Sequence, residues 1–110
     1  MSYPTYDFKL FQGEARVIQI TVLDVNGAPV DITGATSIVW KMGKPKATPK
    51  VQKSLGSGIA IDNGPAGRFL VTLDAADTVN VAADKYNHEA RLDGGVIVHG
   101  TVGILYSITK

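Results

Sequence analysis

No cysteine occurs among the 110 residues. That excludes a disulfide framework, a cysteine-held zinc or iron–sulfur centre and a thiol nucleophile. Charge of one sign is lacking as well. Lys and Arg number 11 against 10 for Asp and Glu, a net charge of +1, so no global field draws nucleic acid or an anionic membrane to the chain. Only two histidines are present and carboxylates are rarely clustered, so the means for acid–base or metal chemistry are thin. Apolar runs are short and broken by Thr, Asp or Gly, well under the roughly 20 residues of a spanning helix. The start, Met1–Asp7, has neither the basic region nor the apolar core of a signal peptide. The expectation is a soluble protein made in the cytoplasm. What remains is a globular composition, 45% hydrophobic and 19% charged, at a length that suits one domain spanning 1–110.

Hydrophobic residues recur at period two. Ile18, Ile20 and Val22 share one phase, as do Ile38, Trp40 and Met42, then Phe69, Val71 and Leu73, then Tyr86, His88, Ala90 and Leu92. From Val96 to Ile108 the even positions form one apolar row broken only by Gly100. Side chains alternate across a strand, so each segment predicts a half-buried strand, one face on a core and one in water. Strands buried on both faces, as in a parallel sheet, would be continuously apolar. Antiparallel pairing is therefore expected.

The connections carry turn chemistry. Asn26-Gly27, Asn63-Gly64 and Asp93-Gly94 supply the positive φ angles of tight turns. Asp74-Ala75-Ala76-Asp77-Thr78 places Asp74 at an N-cap and Asp77 in the first turn, which predicts one short helical turn between strands. Segments near 6–11, 15–24, 36–43, 58–62, 67–73, 85–93 and 96–108 give about seven strands. The fold class expected is all-β, an antiparallel two-sheet β-sandwich of about seven strands with one short helical turn and Trp40 near mid-core. With no Cys…Trp…Cys pattern it is not an antibody-type domain.

Each form of chemistry fails on spacing. His88 and His99 sit on different strands, and His88 and Glu89, being neighbours, point to opposite faces. His88 reads as a core-edge or interface residue and His99 as outward-facing. Asp24 and Asp31 flank a loop without the Asp-x-Asp-x-Asp-Gly string of a calcium site, and read as turn residues. No serine stands in a Gly-x-Ser-x-Gly elbow, and no phosphate-cradling glycine loop occurs. The chain is expected not to be an enzyme, and to carry no catalytic residue, cofactor or metal.

Two segments stand apart. Between Ala35 and Ala60 no acidic residue occurs, while Lys41, Lys44, Lys46, Lys50 and Lys53 do. With Pro45 and Pro49 present, residues 43–54 are expected as a basic, mobile loop or edge hairpin. Its lysines read as a solvated guard against edge pairing, as a partner contact, or as a grip on an anionic polymer. Aromatic interleaving is missing apart from Trp40, so nucleic acid is not expected. Residues 1–7 form either an arm docking on a neighbour through Tyr3 and Tyr6, or a disordered terminus. The candidate partner contacts are therefore Tyr3, Tyr6, Lys44, Lys46, Lys50 and Lys53.

The order of motifs is similar to a known family. Phe11-Gln12-Gly13-Glu14, then Leu23-Asp24-Val25-Asn26-Gly27-Ala28-Pro29-Val30-Asp31-Ile32-Thr33-Gly34-Ala35-Thr36, then Gly58-Ile59-Ala60-Ile61-Asp62, then Gly67-Arg68-Phe69-Leu70-Val71-Thr72-Leu73 with Asp77-Thr78, and finally Tyr86 with Asp93-Gly94 resemble the small immunoglobulin-like domains of tailed-bacteriophage tail and baseplate proteins, typified by the N-terminal domain of upper baseplate proteins. The likeness runs over nearly the whole chain, but its motifs are turns and core positions, so no catalytic residue carries over. The lysine-rich loop is not part of the family pattern. The resemblance implies an immunoglobulin-like sandwich serving as a structural assembly module of a phage or prophage virion, made in the bacterial host cytoplasm. It implies contacts with other virion proteins, as a homo-oligomer or ring component, and no membrane. The alternative is a module that binds carbohydrate or an anionic polymer.

Overall fold

The computed structural model describes residues 7–24, 26–93 and 95–106, with Val96 described by its backbone alone. Eight strands and one helical turn follow in order: β1 (Phe8–Phe11), β2 (Arg16–Thr21), β3 (Ile38–Gly43), β4 (Val51–Leu55), β5 (Gly58–Asn63), β6 (Arg68–Leu73), α1 (Ala75–Thr78), β7 (Asp84–Leu92) and β8 (Gly95–Leu105). The period-two phases are the buried faces. Ile18 and Ile20, Ile38, Trp40 and Met42, Phe69, Val71 and Leu73, and Tyr86, His88 and Ala90 all point inward. Trp40 is fully buried, as its phase requires. All-β character and one helical turn between β6 and β7 are as expected. Asp77 closes that turn by accepting the Asp74 N–H at 2.7 Å.

The strands form one continuous hydrogen-bonded sheet in the order β1-β8-β7-β3-β4-β5-β6-β2. This corrects the expectation of about seven strands paired wholly antiparallel: there are eight, and the sheet is mixed. The eighth strand is β4, which overlaps the end of the segment 43–54 expected as a loop or edge hairpin; it forms a hairpin with β3 but lies between β3 and β5 rather than at an edge, and the loop proper is Lys44–Lys50. Two neighbouring prolines hide β4 in the sequence, yet neither falls within it. Two pairings are parallel. β1 lies beside β8, with Phe8 opposite Val102 and Phe11 opposite Leu105. β4 meets β5 over only two pairs, Ser54 with Gly58 and Leu55 with Ile59. Gly56 and Gly58, both at positive φ, turn the chain through this corner at little steric cost.

Eight strands laid flat would span about 34 Å at ~4.8 Å per spacing, wider than the two shorter dimensions of 26 and 22 Å. The sheet therefore curls, and residues from all eight strands share one apolar core. Chain length forces the same result. β1 and β2 stand at opposite ends of the order, but the four residues from Gln12 to Ala15 join them, a link that reaches about 18 Å at most. The apolar row of β8 ends earlier than its sequence phase implies. Val98, Val102 and Ile104 are buried, while Tyr106 lies past the strand and is 69% exposed. A register shift between Ala90 and Arg91 also brings the odd-numbered Ile97 against the core.

Candidate interaction surface

On β1 the buried phase belongs to Leu10, which turns Phe11 outward. On β8 the buried Ile104 does the same for Leu105. Phe11 and Leu105 are register partners, so two apolar side chains, 51% and 38% exposed, sit side by side, and Tyr106 follows directly along the chain. Their backbone is firmly held. The Gln12 N–H extends the pairing to the Leu105 carbonyl at 3.0 Å. Glu14 accepts the Phe11 N–H and pairs with Arg16 at 2.7 Å. Gln12 donates through its buried side chain to the Val81 carbonyl, and the Gly13 N–H donates to Thr78 Oγ1. An apolar patch on so braced a turn loses little conformational entropy when a partner covers it. In the sequence Phe11 belongs to a turn motif that does not mark this patch; the signal for it is the phase, since Phe11 and Leu105 fall opposite the buried positions.

The six contact residues read from sequence fare differently. Tyr3 and Tyr6 lie outside the described residues. Lys44 is turned inward along the surface. Its ammonium donates to the Lys85 carbonyl at 2.6 Å, pairs with Asp84 at 2.9 Å and rests 4.9 Å from the centre of the Tyr86 ring. Lys44, together with the Lys85 N–H, holds the Asp84 carboxyl below the usual carboxylate range. Lys53 lies in β4, and its stem crosses the face of Gly58, where an added Cβ would sit 2.6 Å from Lys53 Cδ. The Lys53 ammonium then meets Asp77 of α1 at 2.9 Å, with both side chains largely buried. Lys46 and Lys50 are exposed, and among the described residues neither is ion-paired. The basic segment is thus half structural and half free.

His88 and His99 separate as their phases require. His88 is buried, accepts a hydrogen bond at Nδ1 from the Trp40 indole N–H at 3.2 Å, and lies edge-on to Phe8. His99 is exposed. Both reach a hollow of about 340 Å³ beneath the lysine loop, walled by Lys41, Lys44, Pro45, Pro49 and Glu89. Among the described residues no group of three or more His, Asp or Glu side chains is placed to hold a metal ion. Asp24 and Asp31 are turn residues, accepting backbone N–H groups of Asn26, Ala28 and Thr33 at 2.8–3.0 Å.

No family model and no curated protein matches this sequence. Among solved structures the chain is similar to the natural killer cell receptor Nkp44, described as a triggering partner in natural cytotoxicity, at 13% identity and a TM-score of 0.47, over 97% of this chain and 100% of that one. It is also similar to the extracellular domain of the voltage-gated sodium channel beta4 subunit, described as forming parallel homodimers in cell–cell adhesion, at 9% identity and a TM-score of 0.39, over 98% and 97% of the two chains. At these scores and identities neither likeness bears on what this chain does.

Proposed function

We propose that this chain is a non-enzymatic assembly module of a phage or prophage virion, a tail, baseplate or connector component that works by protein–protein contact. In this reading the curled sheet is an immunoglobulin-like sandwich whose halves are β1-β8-β7-β3-β4 and β5-β6-β2, joined at the β4–β5 corner. The observation that carries it is the exposed Phe11–Leu105 pair with Tyr106 on a braced turn, since aromatic anchors on preorganised backbone are what interfaces favour. The family resemblance read from Asp24 to Ala35 supplies the virion context. Other virion proteins are the partners, and repetition of one rigid module suits a ring.

The test is incorporation. Phage particles purified after prophage induction in a host carrying the gene are expected to contain the chain by mass spectrometry. A Phe11→Asp/Leu105→Asp variant that folds normally is expected to be lost from them. Particles without the wild-type chain, or with undiminished variant, overturn the proposal. The second reading, an anionic-polymer-binding surface, draws support from Lys46 and Lys50, which stay exposed and unpaired among the described residues. It requires that Lys46→Glu/Lys50→Glu weaken retention on a polyphosphate column while Phe11→Asp leaves retention unchanged.

A further inference from the structure

The two edges of the sheet are treated unequally. β1 is short, carries Lys9, and has the Lys9 carbonyl taken up by Arg16 Nη1 at 2.7 Å. A short edge, a lysine and a capped carbonyl are the means by which proteins block edge-to-edge pairing. β2 has six residues, Arg-Val-Ile-Gln-Ile-Thr, in unbroken register with β6, and contains no proline, lysine or bulge. The Val22 N–H donates to the Gly67 carbonyl at 2.8 Å, so residue 22 points its backbone groups toward the β6 side. Antiparallel pairing alternates inward and outward groups at period two, which directs those of Val17, Gln19 and Thr21 to the free side. None of these three amides has a hydrogen-bond partner among the described residues. Val17 is 55% exposed. The Leu23–Pro29 bridge and its hairpin leave from the β6 side and do not cover this edge.

We infer that β2 is a homotypic docking edge: a second copy of this chain pairs its own β2 antiparallel about a two-fold axis through Gln19, joining the two sheets. The inference rests on the assembly reading and names the partner. A second copy fits because the edge is its own complement. With Gln19 opposite Gln19 of the other copy, Val17 falls opposite Thr21 and Thr21 opposite Val17. The outward amides and carbonyls of both strands then face each other in hydrogen-bonding phase, as this pairing demands. Val17 and Thr21 are both β-branched, a favoured cross-strand pair, and no charge opposes a like charge. Because Gln19, Val17 and Thr21 are uncharged, a highly charged peptide gains nothing specific at this edge. An isologous contact of this kind closes at two copies.

The two-fold axis makes the test distinctive. Sedimentation of the full chain over a range of concentrations is expected to show a monomer–dimer equilibrium. Gln19→Lys and Gln19→Glu, each alone, place like charges directly opposite and are expected to weaken the dimer about five-fold. Mixing the two variants is expected to restore association as a heterodimer. Hydrogen exchange of the Val17, Gln19 and Thr21 amides is expected to slow as concentration rises, while that of Ile18 and Ile20 stays slow throughout. A wild-type chain that remains monomeric, or a dimer indifferent to both variants and to their mixture, overturns the β2 inference. A dimer indifferent to them leaves the assembly reading standing on another surface. That reading fails on its own test, if the chain is absent from particles or if the Phe11→Asp/Leu105→Asp variant enters them undiminished.

Discussion

The Trp40–His88 hydrogen bond is fully enclosed, and breaking it from either side gives a measurable signature. Trp40 is 0% and His88 2% exposed, and the indole N–H reaches Nδ1 at 3.2 Å. His88→Phe keeps a ring of similar size beside Phe8 but leaves the buried indole N–H without its acceptor. Leaving a buried donor unpaired costs about 1–3 kcal/mol. Trp40→Phe strands Nδ1 in the same way and adds a cavity term of about 1–2 kcal/mol, as only part of the indole is lost. The double variant strands neither partner. Its destabilisation should therefore fall short of the summed single effects by both stranding costs together, about 2–6 kcal/mol, which is the coupling energy read from the cycle. Urea unfolding of the four proteins measures this through the transition midpoints at constant m. A domain of this size shifts its Tm by about 4–8 °C per kcal/mol, so the two single variants should melt well below the wild type. Strict additivity, with coupling under about 0.5 kcal/mol, would show that the bond does not organise the core and refute the reasoning.

Further expectations follow from the corner and the turns. Lys53→Met removes the cation beside the largely buried Asp77 and should cost about 1–2 kcal/mol in urea unfolding, between an exposed pair and a fully buried one. Gly58→Ala should have a cost that overlaps with it, because the new methyl at φ +98° displaces the same Lys53 stem. Gly67→Ala sets a Cβ 2.5 Å from the Val30 carbonyl oxygen and 2.8 Å from that of Val22 at φ +73°. Backbone cannot yield there, so a loss of at least about 2 kcal/mol is expected in thermal unfolding. Asp93 accepts hydrogen bonds from the Thr36 hydroxyl and from the Ser37 and Thr36 amides, which hold its carboxyl below the usual carboxylate range. A lowered folded-state value means that this stabilisation is present above the ordinary carboxylate range and is lost as pH falls through the lowered one. Carboxyl NMR titration should place Asp93 below a peptide aspartate, and Asp93→Asn should flatten the acid limb of the stability profile.

Local chemistry made much of this protein legible from sequence alone. Period-two phasing fixed which side of each strand faces the core, because the pleat leaves a side chain only two choices, and Trp40, Phe69 and Val71 are buried as their phases require. Asp24, Asp31 and the Asp74–Asp77 turn were readable because their partners lie within four residues. Tertiary structure decided what depends on residues far apart. The parallel pairing of β1 with β8 joins Phe8 to Val102, and no local pattern encodes a partner at that distance. Strand β4 forms between β3 and β5 despite two adjacent prolines, since pairing on both sides supplies what its own sequence does not advertise. The basic segment read as one surface, yet Lys53 spans Gly58 to reach Asp77 and Lys44 closes on Asp84. A lysine's role is set by which carboxylate the fold brings within about 3 Å. The outer side of β2, where the sheet ends among the described residues, was likewise not legible: an alternating strand reads the same whether one side or both sides are paired.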